Sequence, residues 1–143
     1  MSDPIADRLA VQDVMTRYAI GVDTRDFELY ESCFAEDVAV SGFGRGEPIR
    51  GRAAWMAFAR KALERFGPTQ HFIGNHLVEL QGDEADLRTY VQATHVLAAD
   101  PQAVFTLWAT YHTRLRREPG GWRIVEHRLE PQASQTLRGD PRP

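Results

Sequence analysis

The chain predicts an α+β fold: a cone-shaped, curled sheet, mixed or antiparallel, with three N-terminal helices laid against its concave side. Two observations carry this reading. Up to Gly67-Pro68 the apolar residues recur at helical three-four spacing, and beyond it they alternate. The alternating half is cut by Gln81-Gly82-Asp83, Asp100-Pro101-Gln102 and Glu118-Pro119-Gly120-Gly121, all strong turn chemistry. Short turns make the four strands between them antiparallel neighbours. Helices followed by such a meander form a layered α+β domain. A cone that its helices do not fill completely keeps a pocket.

The elements follow in order. Asp3-Pro4 starts a helix, with Asp3 as cap and Pro4 in the first turn. Val11, Val14, Met15, Tyr18, Ala19 and Val22 form its buried stripe, and Asp23 lies at the stripe's edge, just past Gly21, where the helix is ending. A short second helix runs from about Asp26 to Cys33. Asp37 to Phe43 reads as a strand, and Gly42 to Gly51 as a turn and return. Trp55, Ala59, Ala62 and Phe66 mark a third helix stopped by Gly67-Pro68. The strands are then Thr69–Leu80, Glu84–Ala98, Ala103–Arg116 and Trp122–Glu130. The polar, proline-containing segment 131–143 reads as a loose tail.

With 143 residues the chain fits one domain able to bury a core without disulfides. A net charge of −3 gives no electrostatic reason to expect nucleic acid or an anionic membrane as partner. One cysteine, Cys33, excludes an internal disulfide and fits a reducing compartment. No apolar run approaches a membrane span, and Met1-Ser2-Asp3-Pro4 lacks signal-peptide character. The expectation is a cytoplasmic protein.

His71 and His95 carry the chemical signal. Each interrupts a strand on the face of a core residue: His71 with Ile73, Asn75 and Leu77, His95 with Leu87, Val91 and Ala93. Ionisable groups aimed into apolar space are costly unless they are paired or have work to do. Asp23 and Tyr18 lie on the helix that faces them, so a carboxylate, two imidazoles and a phenol can converge as proton-transfer groups. Phe27, Tyr30, Phe34, Phe43, Trp55 and Trp108 are candidate cavity lining. Asn75 shares the face of His71, and Arg128, on the face of Trp122 and Ile124, could reach a substrate anion or pair with a rim carboxylate. His76, His112 and His127 fall out of register with the inner sets and read as surface or interface residues. Two histidines and a carboxylate are also a non-haem iron ligand set, but they lack its compact spacing, so neither metal nor cofactor is expected.

The order Arg17-Tyr18-Ala19, Asp23, Asp26, Cys33-Phe34-Ala35-Glu36-Asp37, Thr69-Gln70-His71, Asn75, Gly82-Asp83-Glu84-Ala85, His95 and Gly121-Trp122-Arg123-Ile124 resembles the SnoaL-like branch of the nuclear transport factor 2-like superfamily. The resemblance spans the chain to about Pro131 and implies a nuclear transport factor 2-like, or cystatin-like, α+β barrel. Its polar residues are similar to those of scytalone dehydratase, in which an aspartate pairs with one histidine and a second histidine faces it. Asp23, His95 and His71 match those roles in order. Tyr18, Asp23 and His71 match the bile acid 7α-dehydratase pattern. Val22 stands where scytalone dehydratase has a tyrosine, and its late-strand asparagine has no counterpart.

The resemblance implies a cofactor-independent dehydratase, a hydro-lyase, acting on a small, apolar, cyclic carbonyl or hydroxyl compound. His71 would be the base, or the acid for the leaving hydroxyl. Asp23 would orient His95, and Tyr18 or Tyr30 would bond the substrate oxygen. Isomerisation or cyclisation in the same pocket, and ligand binding without chemistry, are the rival readings. Tyr90, Gln92, Thr94, Trp108, Thr110 and His112 would form a homo-oligomer face, most simply of a dimer, otherwise of a trimer.

Overall fold

The computed structural model describes residues 2–44 and 46–140. Asp3 opens helix α1 (Pro4–Thr24) by accepting the Ile5 backbone N–H on its carboxylate at 2.9 Å. The stripe from Val11 to Val22 is buried as its spacing predicts. The helix ends on Arg25, in the left-handed region at φ 58°, whose N–H returns to the Val22 carbonyl. Asp26 then caps α2 (Phe27–Glu31) by accepting the Leu29 N–H. Gly21 lets the two helices approach: a Cβ there would stand 2.8 Å from the Tyr30 nitrogen.

After β1 (Phe34–Ser41), β2 (Ile49–Arg50) and α3 (Arg52–Leu63) come four long strands, β3 (Phe66–Gln81), β4 (Glu84–Leu97), β5 (Ala103–Glu118) and β6 (Gly121–Arg138). They form one six-stranded sheet in the order β2-β1-β6-β5-β4-β3. Every pairing is antiparallel except β1 with β6, which is parallel, so the curled sheet is mixed. The inner face of β4 shows why it curls around the helices. Ala85, Leu87, Thr89, Val91, Ala93 and His95 are buried, whereas Arg88, Tyr90 and Gln92 between them are exposed.

Three boundaries differ from the sequence expectation: β1 runs Phe34–Ser41 where the sequence predicts Asp37 to Phe43, and two others lie further on. The third helix stops at Leu63, and Phe66, Gly67 and Pro68 already belong to β3, with Phe66 opposite Leu97. A residue before proline favours extended backbone, and β3 is an edge strand, where a missing N–H is tolerated. The segment expected to be a loose tail instead continues β6, paired with β5 as far as Ala103↔Arg138. Without it the outer half of β5 would lose its backbone partners on that side.

Bulges account for the side chains on β3 and β6 that face the other way from the expectation. β3 shifts register between Gly74 and Leu77, with Asn75 at φ 52°, and β6 carries an extra residue at Val125, between the pairs Leu115↔Ile124 and Arg114↔Glu126. One inserted residue moves all later side chains to the opposite face. Asn75 is therefore exposed, and His76 turns inward, its Nδ1 2.9 Å from the hydroxyl of buried Thr89. On β6, Arg128 turns to solvent and His127 enters the core with 1 % of its surface exposed. His76 and His127 are thus not the surface residues that simple alternation predicts.

Gly21→Ala tests the helix junction. Alanine should gain about 1 kcal/mol of helix propensity, but overpacking against the Tyr30 backbone costs about 1–3 kcal/mol. A net loss of stability, read as a lower urea midpoint, is the expected outcome.

Candidate active site

Asp23 sits in the last turn of α1, where the helix crosses β3. Its Oδ1 accepts from His71 Nδ1 at 2.7 Å, and its Oδ2 accepts the His71 backbone N–H at 2.7 Å. The Thr69 hydroxyl donates to Oδ1 at 2.9 Å. Arg25 locks this junction from behind, its Nη1 donating to Thr69 Oγ1 at 2.9 Å and to Val22 O at 2.6 Å, and its Nη2 donating to Gly67 O at 2.7 Å. With its oxygen accepting from Arg25, Thr69 has its proton free for Asp23. A carboxylate can only accept, so Nδ1 of His71 carries the proton and Nε2 is the basic nitrogen. Burial raises the Asp23 carboxyl, but the hydrogen bonds from the His71 ring and backbone and from Thr69 outweigh it and hold it below its ordinary value.

The partner of Asp23 is therefore His71, not His95 as the resemblance implies. The topology gives the reason: α1 lies across β3, and β4 is one strand further in. The His95 ring stands nearly edge-on to His71, with centroids 5.5 Å apart, between Phe66 at 4.5 Å and Phe105 at 5.5 Å. Its Nδ1 lies 3.4 Å from the Phe105 carbonyl. Burial, and then repulsion from His71, push the His95 imidazole down to about 4, so it is neutral at physiological pH. Among the described residues no three histidine, cysteine, aspartate or glutamate side chains gather with metal-ligand geometry.

Both rings open into a cavity of about 280 Å³ beneath the helices. Tyr18 and Val22 of α1, Tyr30 of α2, Gly42 and Phe43 after β1, and Trp55, Phe58 and Leu63 of α3 form one side. Phe66, Ala93, Phe105, Leu107, Tyr111 and Leu129 form the other, with exposed Arg65 also on the lining. Of the expected lining residues, Tyr30, Phe43 and Trp55 are present, as is Tyr18. Phe34 is fully buried behind Tyr18 and Tyr30, its ring 5.8 and 5.0 Å from theirs. Phe27 packs under the Arg60 guanidinium at 4.1 Å. Asn75 and Arg128 are turned out by the bulges. Trp108 is on the outer face, because the inner set of β5 is Phe105, Leu107, Ala109, Tyr111 and Thr113. That odd-numbered run of β5 was the legible signal for Phe105, Leu107 and Tyr111, which sequence reasoning passed over. Arg25 and Thr69 had no local signal at all.

A second polar cluster lies around Tyr18. The rings of Tyr30 and Tyr111 stand 4.9 and 5.5 Å from it, and its hydroxyl is 3.2 Å from His127 Nε2. Burial raises all three phenols well above their ordinary values. They therefore stay protonated at any working pH and can act as hydrogen-bond donors, not as bases. Burial pushes His127 down to about 3, so that imidazole is also neutral.

Comparison with known proteins agrees with this architecture. Residues 3–128 match the SnoaL-like domain model, and the chain belongs to that family. It is 30% identical over 139 residues to the uncharacterized protein Rv2910c of Mycobacterium tuberculosis, covering 93% of this chain and 90% of the relative. An aromatic ring hydroxylase-like protein from Novosphingobium aromaticivorans superposes with a TM-score of 0.85 at 28% identity, covering 95% of this chain and 96% of that one. A scytalone dehydratase-like protein from the same organism gives 0.85 at 20% identity, with 96% and 91% covered. The expected α+β cone is thus the observed fold. No helix among the described residues is long and apolar enough to cross a membrane.

The neutral histidines make stability fall in acid. The unfolded chain protonates histidine near pH 6.5, whereas native His95 resists protonation down to about pH 4. Between those values the unfolded state binds more protons, so stability declines as the pH is lowered across that window. Urea midpoints measured along this range should drop, and His95→Phe should flatten the drop.

Proposed function

We propose that this protein is a cofactor-independent lyase that eliminates water from a small, cyclic, largely apolar hydroxy-ketone. The observation that carries the reading is the Asp23–His71 pair at 2.7 Å opening into an aromatic cavity. Nε2 of His71 takes a proton from the carbon beside the carbonyl, and Asp23 stabilises the imidazolium that forms. Tyr18 and Tyr30 donate to the carbonyl oxygen as it gains charge. The imidazolium then returns the proton to the departing hydroxide. One C–H and one C–O bond break, a C=C bond forms, and water leaves. His95, neutral beside this pair, contributes a polar edge without competing for the proton. A neutral, half-aromatic wall suits a ring substrate, and a fold neighbour named for scytalone dehydratase is consistent with dehydration as the reaction.

The test is turnover of a panel of cyclic β-hydroxy ketones by wild type and two variants. His71→Ala should lower kcat/KM by about 10²–10⁴-fold with folding intact. Asp23→Asn should lose a similar amount, because the amide would donate to Nδ1 and move the ring proton onto Nε2. Undiminished turnover in both variants would remove the assignment, and so would binding without conversion in wild type.

We further infer that the chain self-associates through the outer sheet face. Tyr90 is exposed there, beside half-buried Trp108 and His112, which pairs with Glu130 at 2.5 Å. Light scattering at micromolar concentration should report a dimer, and Tyr90→Lys should shift it towards monomer; a monomeric wild type would overturn this.

A further inference from the structure

Three buried groups lie in a row behind the cavity wall. Thr113 Oγ1 is 2.9 Å from His127 Nδ1, and His127 Nε2 is 3.2 Å from the Tyr18 hydroxyl. Thr113 is 4 % exposed and His127 1 %. Apart from Tyr18 and Thr113, the ring is enclosed by Tyr111 at 4.6 Å and Phe43 at 5.7 Å. Hydrogens in such a row can be ordered in two ways. If Nδ1 carried the ring proton, it would donate to Thr113, and the threonine proton would have no acceptor among the described residues. Nε2 would then take the Tyr18 proton, leaving the phenol only lone pairs to offer. If Thr113 donates to Nδ1, the ring proton sits on Nε2 and is given to the Tyr18 oxygen. In that order the Thr113 proton and the ring proton, which lie behind the wall, both have partners, and the proton left over is the O–H of Tyr18, which lines the cavity.

We propose that Thr113 and His127 are positioning residues that fix Tyr18 as a hydrogen-bond donor into the cavity, so that this wall takes its ligand through an acceptor oxygen. The indole N–H of Trp55 supports the same polarity. It is buried in the cavity lining and makes no hydrogen bond within 3.5 Å among the described residues. Donors fixed in this way on a largely aromatic wall select a carbonyl or enolate oxygen over a hydrocarbon, and disfavour a ligand that presents no acceptor at that point. The relay acts through Tyr18 and never touches the ligand. The proposal rests on the reading of this cavity as the substrate site, but it requires no turnover.

Two measurements on the unliganded, full-length protein decide it. Nitrogen NMR of the His127 ring should show a neutral imidazole with the proton on Nε2; the Nδ1–H form would overturn the relay. Binding of α-tetralone and of tetralin, the same bicycle with and without the carbonyl, then reads the wall's polarity. Wild type should prefer the ketone by about tenfold or more, which is about 1.4 kcal/mol. Thr113→Val keeps the side chain's shape and removes the donor. It should mix the two tautomers and remove most of that preference, leaving tetralin affinity unchanged, and Thr113→Ser should restore both readings. An unchanged preference in Thr113→Val, equal loss of both ligands, or no ketone preference in wild type would each overturn the assignment. Failure of the elimination reading would look different: no conversion of any hydroxy-ketone, with the Nε2 tautomer and the ketone preference intact.

Discussion

The contact on which the site depends is the one between the end of α1 and the start of β3. Asp23 holds His71 by ring and backbone at once, Thr69 bonds the same carboxylate, and Arg25 ties Thr69, Gly67 and Val22 together. The geometry needs Arg25 in a left-handed conformation that a non-glycine residue adopts only at some cost. The guanidinium's three bonds offset that cost. The same residue ends the helix, turns the chain towards α2 and braces the carboxylate. Helix placement and imidazole orientation are therefore one constraint, and a shift of α1 along β3 would disturb both.

Periodicity made most of the fold legible. The stripe on α1 and the turn signals at 81–83, 100–102 and 118–121 specify a helix against an antiparallel meander, and the structure has both. Asp23, His71, His95 and Tyr18 could be read as inward-facing for the same reason. Partner choice could not. Alternation says that two histidines face inward, but only the strand order places β3, rather than β4, under α1. Bulges were also silent: nothing in the local composition of Val125 marks an inserted residue, and that one insertion exchanges Arg128 for His127 in the core. Arg25 and Thr69 act through long-range contacts across more than forty residues, which no local pattern encodes.

The interior keeps its titratable groups in two different states. His95 and His127 are desolvated and neutral, and the tyrosines are held protonated. Asp23 has enough donors to remain charged despite its burial. In a low-dielectric cavity the field of one fixed carboxylate is weakly screened, so it acts most strongly on the group bonded to it, the His71 ring. The neutral neighbours matter for the same reason. A protonated His95 at 5.5 Å would repel the imidazolium that His71 forms on accepting a proton.

This division explains how a largely apolar cavity can hold so many polar groups. Burying several polar groups without partners would destabilise a domain of this size. Here each is satisfied by a neighbour that also determines its direction: Asp23 for His71, the Phe105 carbonyl for His95, Thr113 for His127 and His127 for Tyr18. Two things are left over in the cavity lining, the lone pair on His71 Nε2 and the donors at the tyrosine wall with Trp55. A ligand that supplies an acidic C–H to the first and an oxygen to the second completes the network. Under the proposed elimination these cavity groups would be the ones consumed, and the packed network around them fixes their direction in advance.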